Sequence, residues 1–306
     1  MKTSEKIINY IKSKRQATGN ELANYFNISD RAVRKQLANL FEKDILTKIG
    51  KPPKVFYLIN EENKKKEINI APNIKKFIDE NYLIITPVGT QKRGWDGFVY
   101  WCEKNNQNVI KTASEYIKTL KKYNQYKKLG LINGITKLRN SFEKVYLNNL
   151  YYLNFYSIER FGKTKLGQML LYGKQSGNKK LIKEIVVEIK PKVEYIIKKH
   201  NIKAIGFIPW TVKREVQFMR VLERELKLNI KSISIEKVKT EIIVPQKTLN
   251  KLKDRIENAK NTIIVTDKGQ YDNILLIDDA VGSGATLNET AKQIKDKKIA
   301  KKIIGL

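Results

Sequence analysis

The stretch NILLIDDAVGSGATLNET, Asn273 to Thr290, is the one whose reading decides the fold. ILLID, Ile274–Asp278, is a continuous apolar run of strand length ending in acid, the kind buried on both faces of a parallel sheet. TLNETAKQIKD, Thr286–Asp296, has the apolar spacing of a helix. Between them stand Asp278 and Asp279 and a loop of glycines and hydroxyls. The order strand, acids, loop, helix predicts an α/β unit with both carboxylates at the carboxyl edge of its sheet.

That order suits a particular ligand chemistry. Backbone N–H groups of Gly282, Ser283, Gly284 and Ala285, with the hydroxyls of Ser283 and Thr286, can cradle a phosphate at a helix N-terminus. Asp278 and Asp279 can accept hydrogen bonds from two vicinal sugar hydroxyls. A ribose 5-phosphate group has both parts at that separation. The plain alternative is a loop that tops an α/β domain and binds nothing, and two adjacent acids in an otherwise basic chain argue against it.

DDAVGSGAT resembles the phosphoribosyl pyrophosphate (PRPP) loop of the type I phosphoribosyltransferases, in which two acids and two apolar residues precede Thr-Thr-Gly-Gly-Thr. Gly282 stands at the first Thr and Ala285 at the second Gly. Upstream, AIGFIPW, Ala204–Trp210, reads as a strand ending in Pro and leads into TVKREVQF. With Gln246, Leu249, Arg255 and Asn258 further on, this looks like the ComF-type branch, and the resemblance runs from Tyr151 to the last residue. It implies a parallel-sheet phosphoribosyltransferase-like domain. It also implies roles: Asp278 and Asp279 as the catalytic carboxylates on the ribose hydroxyls, Gly282, Ser283, Gly284, Ala285 and Thr286 on the 5-phosphate, Lys213 and Arg214 on the pyrophosphate, and Gln246, Arg255 and Asn258 in a flexible loop. Mg²⁺ would arrive with PRPP rather than be ligated by the protein. There are departures: KREVQF replaces the branch's Arg-Gly-Phe-Asn-Gln, and Gly282, Ser283 and Gly284 cannot titrate, which disfavours 6-oxopurine salvage. KKIIGL reads as a final strand, so a hood over an acceptor base is expected from residues before Tyr151.

The first sixty residues read turn by turn. Ile7, Ile8 and Ile11 recur at helical spacing, and Thr18 with Glu21 forms a capping box for a helix carrying Leu22, Ala23 and Phe26. Ser29 caps a third helix, Asp30–Lys43, whose Val33, Leu37, Leu40 and Phe41 gather on one side and turn Arg31, Arg34 and Lys35 outward. ILTKIG and KVFYLI then read as two short strands joined by GKPPK. Three helices and a hairpin look like a winged helix-turn-helix, with Arg31, Arg34 and Lys35 on the recognition helix and Lys51 and Lys54 at the wing placed to contact nucleic acid, DNA above all. The rival reading is a small dimerisation or docking module.

Composition points to the same partner. Sixty-one Lys and Arg against 31 Asp and Glu give a formal charge of +30, which favours a polyanion. An AT-rich genome explains abundant Lys but not scarce acids. One cysteine and one histidine exclude an intrachain disulfide and a Cys-based zinc site and fit a reducing cytoplasm, and no apolar run spans a bilayer. Residues 61–73 read as a polar linker. Residues 74–150 form a mixed, mostly helical segment in which Lys92, Arg93, Trp95, Trp101, Tyr116, Tyr123 and Tyr126 interleave, as packing residues or as a base-stacking surface. The expected organisation is therefore winged helix (1–60), linker, mixed segment and phosphoribosyltransferase-like domain (151–306). The expected function is a PRPP-responsive nucleic-acid-binding regulator. The alternatives are an active phosphoribosyltransferase or PRPP-processing enzyme and, behind it, a phage-defence or stress effector switched by nucleic acid. Nothing in the sequence sets the oligomeric state.

Overall fold

The computed structural model describes residues 2–43, 45–60, 68–210, 214–238, 249 and 251–306, and it divides into two compact units, Met1–Ile70 and Ala71–Leu306. Most of the expected 61–73 linker, residues 61–67, lies outside the described residues, and Pro72 already opens the helix Pro72–Asn81.

In the first unit the helices are Thr3–Lys14, Gly19–Phe26 and Asp30–Glu42, followed by the hairpin Leu46–Lys51 and Lys54–Ile59. Thr18 Oγ1 accepts from Glu21 N at 3.2 Å while Thr18 N donates to Glu21 Oε2 at 2.7 Å, so two otherwise orphaned N–H groups are satisfied at once. Ser29 Oγ accepts from Ala32 N at 3.3 Å and starts the third helix. Ile7, Ile11, Leu22, Val33, Leu37 and Leu40 close the core. Ala17–Thr18 adds a third, antiparallel strand against Phe56–Tyr57. Phe41 departs from the expected apolar side: it is 42% exposed, with Lys48 Nζ 5.0 Å from its ring centre. Leu40 completes the buried stripe, and Phe41 lies one residue, about 100°, further round the helix.

The second unit is built on a seven-stranded sheet. Its strands run, edge to edge, Lys231–Ser232, Ala204–Phe207, Tyr271–Ile277, Ala300–Gly305, Asn149–Tyr152, Leu131–Asn133 and Lys127–Lys128. The first five are parallel and the last two antiparallel. Ile274, Leu275 and Leu276 are fully buried, as their unbroken apolar run requires. One core gathers side chains from the helices Lys165–Ser176, Lys179–Lys199 and Phe218–Leu226, and the other from the helix Ala285–Asp296.

Residues 71–150 belong to this unit and supply the sheet's strands Lys127–Lys128 and Leu131–Asn133 and the start of Asn149–Tyr152. The helices Gly94–Lys104 and Val109–Asn124 are joined to it by ring packing: Tyr82 against Phe98 at 5.2 Å and Tyr116 against Phe161 at 5.2 Å. Trp95 and Tyr116 are buried, so neither presents a face to a base. Among the described residues no helix is long and apolar enough to cross a membrane.

Candidate functional site

From Ala204–Phe207 the chain passes through the helix Phe218–Leu226 to the outer strand Lys231–Ser232. From Tyr271–Ile277 it passes through Ala285–Asp296 to Ala300–Gly305, on the other side. The two connections leave in opposite directions along the sheet and their helices pack into different cores. A crevice therefore opens at the carboxyl ends of the two central strands, where the strand order reverses. A cavity of about 540 Å³ fills it.

The floor of that cavity is Asp278 and Asp279 with Ala280–Thr286. Gly284 has φ +85°, and a Cβ there would overlap the Leu138 side chain. It is also the N-cap of Ala285–Asp296 and brings no side chain to the first-turn N–H groups. Ser283 Oγ accepts only weakly from Ala285 N, at 3.3 Å. The loop thus offers main-chain donors and the positive end of a helix dipole to whatever lies in the cavity.

The carboxylates are unlike each other. Asp279 is ion-paired with Lys174, from the helix Lys165–Ser176. Asp278 keeps partial exposure but is packed round by protein, and burial followed by the neighbouring Asp279 pushes it up to about 7, against the pull of Asp279 N–H, Lys174 and Lys237. Lys237 closes the strand Ile235–Lys237 and is pulled down by burial, with Asp278 working in the opposite direction. Tyr156 is raised by burial and then by Asp279.

Arg214 and Arg255 complete a ring of cations with Lys174 and Lys237. Arg255 Nε donates to Leu249 O at 2.7 Å, and its guanidinium lies 3.6 Å from where a Cβ on Gly282 would stand. Asp278, Asp279, Gly282, Ser283, Gly284, Ala285, Thr286, Arg214 and Arg255 therefore come together around one cavity. Asn258, on the helix Leu252–Thr262, is not among its described lining residues. Lys213 and Gln246 lie outside the described residues. No local pattern marks Lys174, Lys237 or Tyr156 in the sequence: Lys174 reaches Asp279 across 105 residues.

In the first unit Arg31, Arg34 and Lys35 are all exposed along the third helix, opposite Val33, Leu37 and Leu40. Lys51 and Lys54 are exposed where the hairpin turns. Gly50 has φ +89°, and a Cβ there would overlap the Lys54 carbonyl, so the turn depends on glycine.

The pattern of the DeoR-like helix-turn-helix domain matches residues 4–50, the three helices and most of the first wing strand. No curated protein and no solved structure gives a match to the chain.

Proposed function

We propose that this chain is a DNA-binding regulator whose second unit binds PRPP or a related ribose 5-phosphate. The helix-turn-helix match and its exposed cations support the first half. One observation carries the second: a vicinal acid pair, a glycine-dependent loop at a helix N-terminus and four cationic side chains all face a single crevice cavity. Carboxylates suit the sugar hydroxyls, loop N–H groups the 5-phosphate, and Lys174, Lys237, Arg214 and Arg255 a pyrophosphate.

Two carboxylates, one already paired with Lys174, suit a Mg²⁺ carried on the ligand's own pyrophosphate better than one held by the protein. When bound, the metal would offset the charge of that pyrophosphate, while Asp278 and Asp279 hold the sugar.

The test is calorimetric titration of PRPP with Mg²⁺. Asp278→Asn combined with Asp279→Asn keeps shape and removes charge, so affinity should fall about tenfold or more, roughly 1.4 kcal/mol upward. Equal affinity in parent and double variant would remove the ribose-phosphate reading.

A second reading is transfer of the phosphoribosyl group. It is favoured by a further cavity that meets the first at Asp278 and Asp279 and leaves room for an acceptor. The bond from the anomeric carbon to pyrophosphate would break with its electron pair leaving on pyrophosphate. The acceptor's lone pair would form the new bond, and its proton would pass to water. Pyrophosphate release that depends on a supplied acceptor distinguishes this from a sensor.

A further inference from the structure

The second cavity has a volume of about 710 Å³ and shares Tyr156, Phe218, Asp278, Asp279, Ala280 and Val281 with the first. One wall, away from the acids, is apolar: Leu170, Ile185, Ile189, Leu222, Leu226 and Leu306. All but Leu170 are buried members of the core formed by the three helices on that face. Tyr123 and Tyr126 also line it, each edge-on to Phe155 at 4.8 and 6.0 Å between ring centres. Tyr126 is 62% exposed.

Three of its polar side chains are bonded within the protein, and Lys137 also lines it, exposed to solvent. Asn133 Oδ1 accepts from Ile135 N at 3.0 Å, Asn154 Oδ1 from Phe155 N at 2.9 Å, and Lys122 Nζ donates to Glu159 Oε1 at 2.9 Å. A nucleobase placed against the apolar wall would bury several donors and acceptors against hydrocarbon, at a cost for each one left unmade. A flat apolar ring incurs no such penalty, and the volume is that of an ordinary small-molecule site.

We propose that this cavity is a second ligand site that takes an apolar, ring-bearing molecule whose one polar end reaches Asp279 and Tyr156. The proposal rests on the ribose-phosphate reading only for what lies beside that polar end, since the binding itself needs no sugar. In the transfer reading this ligand is the acceptor, and it is not a nucleobase.

The probe is 1-naphthylamine, followed by its own fluorescence with the full chain and no PRPP. Saturable binding at one site is expected, with no displacement by equal concentrations of adenine, hypoxanthine or orotate. Leu222→Trp fills the apolar end and should weaken binding about tenfold or more. If that variant does not fold, Leu170→Trp, at a partly buried position, takes its place. Methyl NMR of the parent gives an independent reading: shifts should fall on Ile185, Ile189 and Leu222 and leave Leu287 and Ile294, in the other core, in place. Displacement by the nucleobases, unchanged affinity in the filled variants, or shifts spread through both cores would each overturn the proposal. Naphthylamine binding intact in a protein that ignores PRPP would remove the ribose-phosphate reading and leave this one standing.

Discussion

Asp278 shows how much one residue's surroundings decide. An aspartate in an unfolded chain titrates near 3.8, whereas here burial and Asp279 push it up to about 7. Between those values the folded state holds a proton that the unfolded state has released. This carboxyl's contribution to stability therefore falls as pH rises from about 4 through 7, and stays lowest above that. Asp278→Asn removes the ionisation, so at pH 8 the variant should melt higher than the parent, by about 2–4 °C for each kcal/mol relieved. Toward pH 4 the gap should close; a gap equal at both pH values, seen by calorimetry, would mean that the charge is not the cause. Gly284 is the other decisive residue of the floor. With φ +85° and Leu138 against the missing Cβ, Gly284→Ala should cost about 1–3 kcal/mol in urea unfolding. It should also lose PRPP affinity, because the loop cannot keep its donors aimed.

At the scale of elements, the third helix of the first unit separates folding from binding. Its apolar stripe is buried while Arg31, Arg34 and Lys35 face solvent. Replacing those three by Ala should leave the melting temperature nearly unchanged and weaken binding to duplex DNA. The slope of log affinity against log salt should fall by about two to three units, since each phosphate contact contributes nearly one. Parent-like affinity and slope would move the nucleic-acid surface off this helix. The helix Lys179–Lys199 carries a different lesson. It begins at the Asn178 cap, where Oδ1 accepts from Leu181 N at 3.2 Å, and runs straight through Pro191. Seven buried residues along it, from Leu181 to Ile196, outweigh the one hydrogen bond that proline removes.

For the whole molecule the expectation is that the two units share a ligand-dependent equilibrium. A helix-turn-helix unit attached to a sugar-phosphate site regulates only if one ligand changes the affinity for the other. Saturating PRPP and Mg²⁺ should shift DNA affinity by about 5- to 150-fold, a coupling of roughly 1–3 kcal/mol, and DNA should shift PRPP affinity by the same factor. Pyrophosphate and ribose 5-phosphate at constant ionic strength control for simple anion competition. The Asp278, Asp279 double Asn variant should bind DNA as the parent does and ignore PRPP. A parent whose DNA affinity does not respond to PRPP, while it releases pyrophosphate from PRPP at a rate set by an acceptor, is an enzyme rather than a sensor.

Sequence by itself determined the features whose causes are local. The capping box at Thr18 and Glu21, the Ser29 cap, the wing hairpin, the buried run Ile274–Ile277 and the helix that follows it are each specified by neighbours within a few residues. For that reason Asp278, Asp279 and the Gly282–Thr286 loop were legible before any fold was known. Only the tertiary structure decided what faces them. Lys174 and Lys237 are ordinary lysines in a chain rich in lysine until sheet order and helix packing bring them to the acid pair. The strands Lys127–Lys128 and Leu131–Asn133, from a segment that reads as mostly helical, join the same sheet, and Ile132 and Asn133 help wall the second cavity. Strand pairing and core burial are satisfied by any suitable partner, near or far in sequence, so no local pattern records which partner was taken.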